Sequence, residues 1–222
     1  MRTVASVLAV GVVAVVAALA TLDALRGEPE PFPAELTGEL VYSEEDCSRH
    51  AVRLPDLARR DFRTVGCGVF TRRDNLGIKD GVVAWFAYPV PGGTTVLLRN
   101  RQVREVAWLG ERRFAAVLAP PARVTIWEGD RYVRQVARGS YRELRASPSM
   151  SQFAALGGGR VRVFDRRGDE LWIGPGHAIA WSPDERFAAV AGESEVSIVA
   201  TADGESVAKI PLSVADVDWR DG

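Results

Sequence analysis

Residues 181–190 read Trp181-Ser182-Pro183-Asp184-Glu185-Arg186-Phe187-Ala188-Ala189-Val190, and the chain carries two other versions of this stretch. Trp108 to Val117 reads Trp-Leu-Gly-Glu-Arg-Arg-Phe-Ala-Ala-Val, and Ala146 to Leu156 reads Ala-Ser-Pro-Ser-Met-Ser-Gln-Phe-Ala-Ala-Leu. The aligned phenylalanines Phe114, Phe153 and Phe187 lie 39 and 34 residues apart, and the turn glycines Gly129, Gly168 and Gly204 keep step with them. A period of about 35–40 residues holding four short strands is the spacing of propeller blades.

The last full repeat, residues 176–212, predicts four strands: His177 to Ser182, Phe187 to Gly192, Val196 to Ala200 and Ser206 to Leu212. The second strand carries the architectural signal. Phe-Ala-Ala-Val, or Phe-Ala-Ala-Leu, does not alternate apolar with polar, so both faces of that strand are expected to be covered. The third strand does alternate, with Arg160-Val161-Arg162-Val163 placing arginine on one face and valine on the other. Gly157-Gly158-Gly159 precedes a strand and reads as a hairpin turn, because a phosphate-binding glycine loop opens a helix.

Outward from the repeats, the two ends complement each other. Val214 to Trp219 begins a further repeat and stops, while Glu39 to Tyr42, Arg49 to Leu54 and Phe62 to Val65 supply three strands with no first strand before them. Pairing the ends completes a blade and removes the exposed edges of an open array. The expectation is an all-β propeller of about five four-stranded blades: 38–66 with 213–219, then 67–102, 103–139, 140–175 and 176–212. In the second blade Val82 to Tyr88 reads as a central strand, but Pro89 to Gly93 interrupts the pattern after it. Four blades or a distorted ring are the alternatives.

Ahead of the domain at 38–222 lies different material. Thr3 to Leu22 has no charged residue and is mostly Val, Ala and Leu. As a helix, about 20 residues span about 30 Å, the thickness of a bilayer's hydrocarbon core. Residues 1–26 are therefore expected to be a transmembrane anchor, with Arg2 on the cytoplasmic side and the remainder outside. A cleaved signal peptide is the competing reading, since Ala18-Leu19-Ala20 has a small-x-small pattern. Residues 27–37, with three prolines and solvated glutamates, read as a linker. In an exported chain the cysteine pair Cys47 and Cys67 is expected to form a disulfide, two free thiols being the alternative. Neither has a further cysteine or a histidine at metal-ligand spacing.

Net charge is −1, but it is unevenly spread. Residues 99–167 hold 15 arginines against 6 acids, a local +9, and residues 168–222 hold 11 acids against 3 bases, a local −8. The basic stretch suggests a surface for an anionic envelope polymer or a protein partner, with Arg99, Arg101, Arg104, Arg131, Arg134, Arg138, Arg142 and Arg145 as its candidates. Ordinary solvated blade edges are the alternative. No basic cluster interleaved with aromatics and no recognition helix points to nucleic acid.

Catalytic patterns are sparse. His50 and His177 fall on different blades, His177 reading as a packed or hydrogen-bonded side chain, and no Gly-x-Ser-x-Gly elbow is present. Asp216, Asp218 and Asp221 lack the spacing of a calcium loop. Asp216 and Asp218 share one side of a strand and read as solvated, with a weak cation site as the alternative. Carboxylates on first strands, Glu105, Glu143 and Asp216, are the set a channel-based glycosidase would use, and Arg104, Arg142 and Arg145 beside them would form salt bridges. No cofactor is expected.

Ala180-Trp181-Ser182-Pro183-Asp184-Glu185-Arg186-Phe187 resembles the Trp-Ser-Pro-Asp-Gly element of TolB-like propeller repeats, which are similar to WD-type repeats. The resemblance covers residues 103–219, and reaches 38–102 only by inference. Glu185 stands where the element has glycine, and no Trp-Asp dipeptide ends a blade. That element caps a turn, so the resemblance carries over no catalytic residue. It implies a binding scaffold, in some members periplasmic. The expected function is a membrane-anchored extracytoplasmic scaffold, with a glycoside-acting enzyme as the alternative.

Overall fold

The computed structural model describes residues 32–63, 66–70, 76–79, 82–86, 94–100, 102–110 and 112–222. The expected anchor at 1–26, the start of the linker, the Pro89 to Gly93 interruption and Arg101 lie outside the described residues. Among the described residues no helix is long and apolar enough to cross a membrane.

The described chain is all β, laid out as antiparallel sheets in a propeller-like arrangement. The first sheet begins with β1 (Gly38–Ser43), β2 (Arg49–Leu54) and β3 (Arg59–Asp61). The second holds β4 (Leu76–Lys79), β5 (Val82–Phe86) and β6 (Thr94–Arg99). The third holds β7 (Val103–Trp108), β8 (Arg113–Leu118), β9 (Arg123–Glu128) and β10 (Arg131–Arg138). The fourth holds β11 (Glu143–Ala146), β12 (Gln152–Gly157), β13 (Arg160–Asp165) and β14 (Glu170–Pro175). The fifth holds β15 (Ala178–Trp181), β16 (Phe187–Ala191), β17 (Val196–Ala200) and β18 (Ser206–Ile210). The last strand, β19 (Asp216–Arg220), returns to β1 and completes the first sheet in the order β19-β1-β2-β3. Its register runs from Glu39 opposite Arg220 to Ser43 opposite Asp216.

The second strands show why the sheets stack. Ala115 and Val117 of β8 join a cluster with Leu144, Phe153 and Ala155 of the fourth sheet. Phe114, Ala116 and Leu118, the alternate residues of the same strand, form a second cluster with Val103, Val106 and Trp108. β12 behaves alike: Phe153 and Ala155 pack toward the third sheet, Ala154 and Leu156 toward Ile179, Ala188 and Val190 of the fifth. Both faces are therefore buried, and the absent alternation in Phe-Ala-Ala-Val is explained by that. The alanines keep the middle of each sheet thin, which lets neighbouring sheets come within face-to-face packing distance. On β13 the expected alternation holds, with Val161 and Val163 fully buried and Arg160 exposed.

Several strand ends shift by one or two residues, and two boundaries differ in kind from expectation. The third strand of the first sheet is Arg59–Asp61, and of the expected strand at 62–65 residues 64 and 65 lie outside the described residues. The chain turns tightly after Leu54, with Arg53 N–H donating to the Ala58 carbonyl at 3.0 Å, and pairs at once with β2. An all-charged strand gives no apolar signal, whereas Phe62 attracts attention because it packs beside Val41, Ala51 and Val69. At the linker's end Leu36 is completely buried, so the domain begins before residue 38. The Gly157 to Gly159 run is a hairpin turn, with Gly158 and Gly159 at φ 61° and 70°. Two successive left-handed residues give the turn whose twist suits a two-residue hairpin. The Cys47–Cys67 disulfide is present, tying the β1–β2 loop to the segment that leads into β4.

Candidate functional site

The strands that open the fourth, fifth and first sheets meet around one buried cation. Arg145, on β11, is 4% exposed. Its Nε donates to Glu143 Oε1 at 2.6 Å, its Nη1 to the carbonyls of Ile179 on β15 and Val217 on β19 at 2.9 and 3.2 Å, and its Nη2 to Asp216 Oδ1 at 2.6 Å. The guanidinium also lies over the Phe70 ring, 4.2 Å from its centroid. The other oxygen of Asp216 accepts the backbone N–H groups of Val69 and Phe70 at 2.6 and 2.9 Å. One side chain from the fourth sheet thus ties the fifth sheet, the first sheet and the segment entering the second.

Burial pushes the Asp216 carboxyl up, but the Arg145 charge and the hydrogen bonds from Phe70, Arg145 and Val69 outweigh it and hold the group below its ordinary value. A buried carboxylate with a cation and three amides, the third from Val217 at 2.9 Å, stays ionised. The reading of Asp216 and Asp218 as a solvated pair is therefore corrected, since they are 8% and 5% exposed. The reason is position: β19 is covered by β1 on one side and approached by β15 and Arg145 on the other. Asp218 accepts from Arg220 Nε at 3.0 Å. Arg145 leaves the set of candidate surface arginines for the same reason. Of the three channel carboxylates, Glu143 and Asp216 are both held by Arg145, and Glu105 is half-buried on β7.

The other described arginines of that set, Arg99, Arg104, Arg131, Arg134, Arg138 and Arg142, are exposed. Three of them, Arg131, Arg134 and Arg138, lie on β10, the edge strand of the third sheet. Arg134 Nη1 reaches Asp169 of the fourth sheet at 2.9 Å, and Arg131 stands 3.5 Å from Glu128. Part of the basic segment's charge is therefore answered locally. Charged residues on an edge strand also discourage pairing with another chain.

Sequence reasoning passed over a cluster at His50. Its Nδ1 lies 2.7 Å from Asp61 Oδ1, and its Nε2 lies 2.9 Å from Ser48 Oγ and 3.4 Å from Glu44. Arg59 reaches both acids and comes within 3.1 Å of Nδ1. The His50 hydrogen bond is the main cause holding the Asp61 carboxyl below its ordinary value. Serine, histidine and carboxylate occur in the order of an acyl-transfer relay, but the ring is caught between two carboxylates and an arginine. The Ser48 N–H is already given to Asp46 at 2.9 Å. The cluster pins β3 against β2 at their His50–Asp61 pairing. The signal that would have found it was the pairing of an all-charged edge strand with a histidine. His177, on the other side of the domain's sequence, lies 2.8 Å from the Val214 carbonyl through Nε2, a hydrogen-bonded position as expected.

A cleft of about 410 Å³ lies between the Ser182–Asp184 turn and the residues flanking β1 and β19, with Glu35, Asp184 and Asp221 at its walls beside Phe187 and Trp219. Three acids suit a cationic group and repel an anion. The acid-lined cleft and the arginine-bearing edge strands are therefore surfaces of opposite preference.

No protein-family model and no curated protein matches this chain. Among solved structures, the one titled "KlHsv2 with loop 6CD replaced by a Gly-Ser linker" is similar at 12% identity and a TM-score of 0.47, over 80% of this chain and 66% of that one. The one titled "Crystal structure of the eukaryotic initiation factor" is similar at 16% identity and a TM-score of 0.44, over 78% of this chain and 51% of that one. The chain spans just under two thirds of the first and about half of the second.

Proposed function

We propose that this chain is a membrane-anchored, extracytoplasmic binding scaffold, a TolB-like propeller of five blades closed where β19 meets β1. Contact between β4 and β7, between β7 and β11 and between β15 and β19 supports the ring order. The charge-free run at 3–22 supports the anchor, and a disulfide supports an oxidising compartment. The observation that carries the binding role is the exposure of Arg99, Arg104, Arg131, Arg134, Arg138 and Arg142 around a rigid stack of sheets. Such a surface attracts an acidic protein or an anionic envelope polymer. The alternative of a glycoside-acting enzyme built on Glu105 and Glu143 draws no support from Glu143, whose oxygen lies 2.6 Å from a buried guanidinium.

Crosslinking and recovery of partners from membranes tests the reading, comparing the native chain with a variant carrying Arg99→Glu, Arg138→Glu and Arg142→Glu. The expected result is selective loss of acidic partners. An unchanged set of recovered partners would remove the basic surface from the proposal.

A further inference from the structure

Glu185 sits in a backbone conformation that does not suit it. Its φ is 59°, in the left-handed region, at the turn position where the Ser-Pro-Asp-Gly element has glycine. Arg112 and Met150 occupy the equivalent position of the other two turns, at φ 80° and 63°. What distinguishes Glu185 is the destination of its side chain. The carboxylate leaves its own sheet and enters the turn between β11 and β12 of the neighbouring one. There Oε2 accepts the hydroxyls of Ser147, Ser149 and Ser151 at 3.1, 2.6 and 3.0 Å, and Oε1 accepts the Ser149 backbone N–H.

The turn is built to donate. Ser147 Oγ accepts the Gln152 N–H at 3.3 Å, and Ser149 Oγ accepts the Ser151 N–H at 3.3 Å. With those lone pairs occupied, both hydroxyl hydrogens are free to point at the guest. Ser147 is buried while Ser149 and Ser151 are exposed, so the cradle has a fixed floor and an open rim. Four donors on one carboxylate make an oxyanion receptor of the kind formed by a concave turn. A strained residue is retained where the surroundings hold it in place, and such strain points to a role.

We propose that the Ser147–Ser151 turn is a recognition site for a carboxylate of a protein partner, and that Glu185 is its internal occupant. A partner's acidic side chain or terminal carboxylate displaces Glu185 and takes the same four donors. The apparent affinity is lowered by the fraction of time Glu185 fills the cradle. This inference stands apart from the basic edge strands and does not rest on them.

The test is the full chain carrying Glu185→Gly, since glycine adopts the left-handed turn freely. Acetate is titrated while the amide resonances of Ser149 and Ser151 are followed, and the melting temperature is recorded alongside. The expected result is saturable shifts at both amides, with acetate raising the variant's melting temperature. The native chain should need at least about tenfold more acetate. A turn that is only a structural latch would give a less stable variant with no saturable response, and that would overturn the proposal. Equal half-saturation in both chains would overturn it too, and saturation by inorganic phosphate but not acetate would overturn the carboxylate assignment. If Glu185→Gly does not fold, the same titration is made on Glu185→Gln, which keeps the side-chain length without the charge. Failure of both to fold would count against the proposal, because a displaceable guest is not required for folding.

Discussion

Arg145 joins three sheets through one buried side chain. Replacing it with Met would leave Asp216 buried with three backbone donors, Val69, Phe70 and Val217, and no counter-charge. Removing one partner of a buried pair costs about 3–5 kcal/mol, because the remaining charge is uncompensated. Denaturant unfolding of Arg145→Met at neutral pH should show a loss of that size. The pH dependence has its origin in the same contact. The Asp216 carboxyl is depressed in the folded state, so its contribution is complete above the unfolded-state value and is lost as pH falls through the lower folded value. In the native chain this loss begins in the ordinary carboxylate range and is complete below it. In Arg145→Met burial is no longer opposed by the cation, so this carboxyl contributes less to the loss on acidification and the variant's deficit should shrink as pH falls through the carboxylate range. Unfolding midpoints measured along a pH series check this, and parallel curves for the two chains would contradict it. A second sensitive position is Gly157. A Cβ there would lie 2.0 Å from the Ser140 carbonyl oxygen, a backbone atom that cannot move aside alone. Gly157→Ala should cost about 3 kcal/mol, the upper end for overpacking. A melting temperature equal to the native value would disprove the close approach.

At the level of single elements, the disulfide and the β2–β3 hairpin bear on the same corner. Cys47 and Cys67 are 20 residues apart in sequence. Closing a loop of that length contributes about 3 kcal/mol on the chain-entropy model. Replacing both by Ala should lower the unfolding free energy by about 2–5 kcal/mol, read from denaturation with and without reductant. Reductant should then have no effect on the variant. How much was legible in the sequence varied from element to element. The strands of the last repeat were readable because Phe187 to Val190 is an apolar run and Ala202-Asp203-Gly204 marks a turn. Residues 196–200 form β17 with the expected bounds. β3 was not readable, because Arg59-Arg60-Asp61 draws its stability from pairing and from His50 rather than from apolar burial. The ion knot was half legible. Arginine beside Glu143 was visible as a salt bridge, but its second acid lies 71 residues away, and no local pattern brings Asp216 to it. The Glu185 contact was hidden likewise, since the serines it joins lie 34 to 38 residues earlier.

For the whole molecule, the pairing of β19 with β1 makes the first sheet depend on the far end of the described chain. Deleting residues 213–222 removes Asp216, Val217 and Trp219, all buried, and strips β1 of one hydrogen-bonded neighbour. The truncated chain should aggregate or melt far below the native one, by size-exclusion chromatography and thermal unfolding. Unchanged melting would show that the pairing contributes little. The exposed edge would be a ready template for intermolecular strand addition. A timing constraint is contained in this arrangement. Translation delivers β1, β2 and β3 early, at about 5–20 residues per second, whereas their partner emerges only after the other four sheets have been made. Until β19 is made, β1 has no partner on its outer edge. Slow, late nucleation is the usual cost of such long-range β pairing. A chain that stops before β19 therefore leaves the outer edge of β1 unpaired.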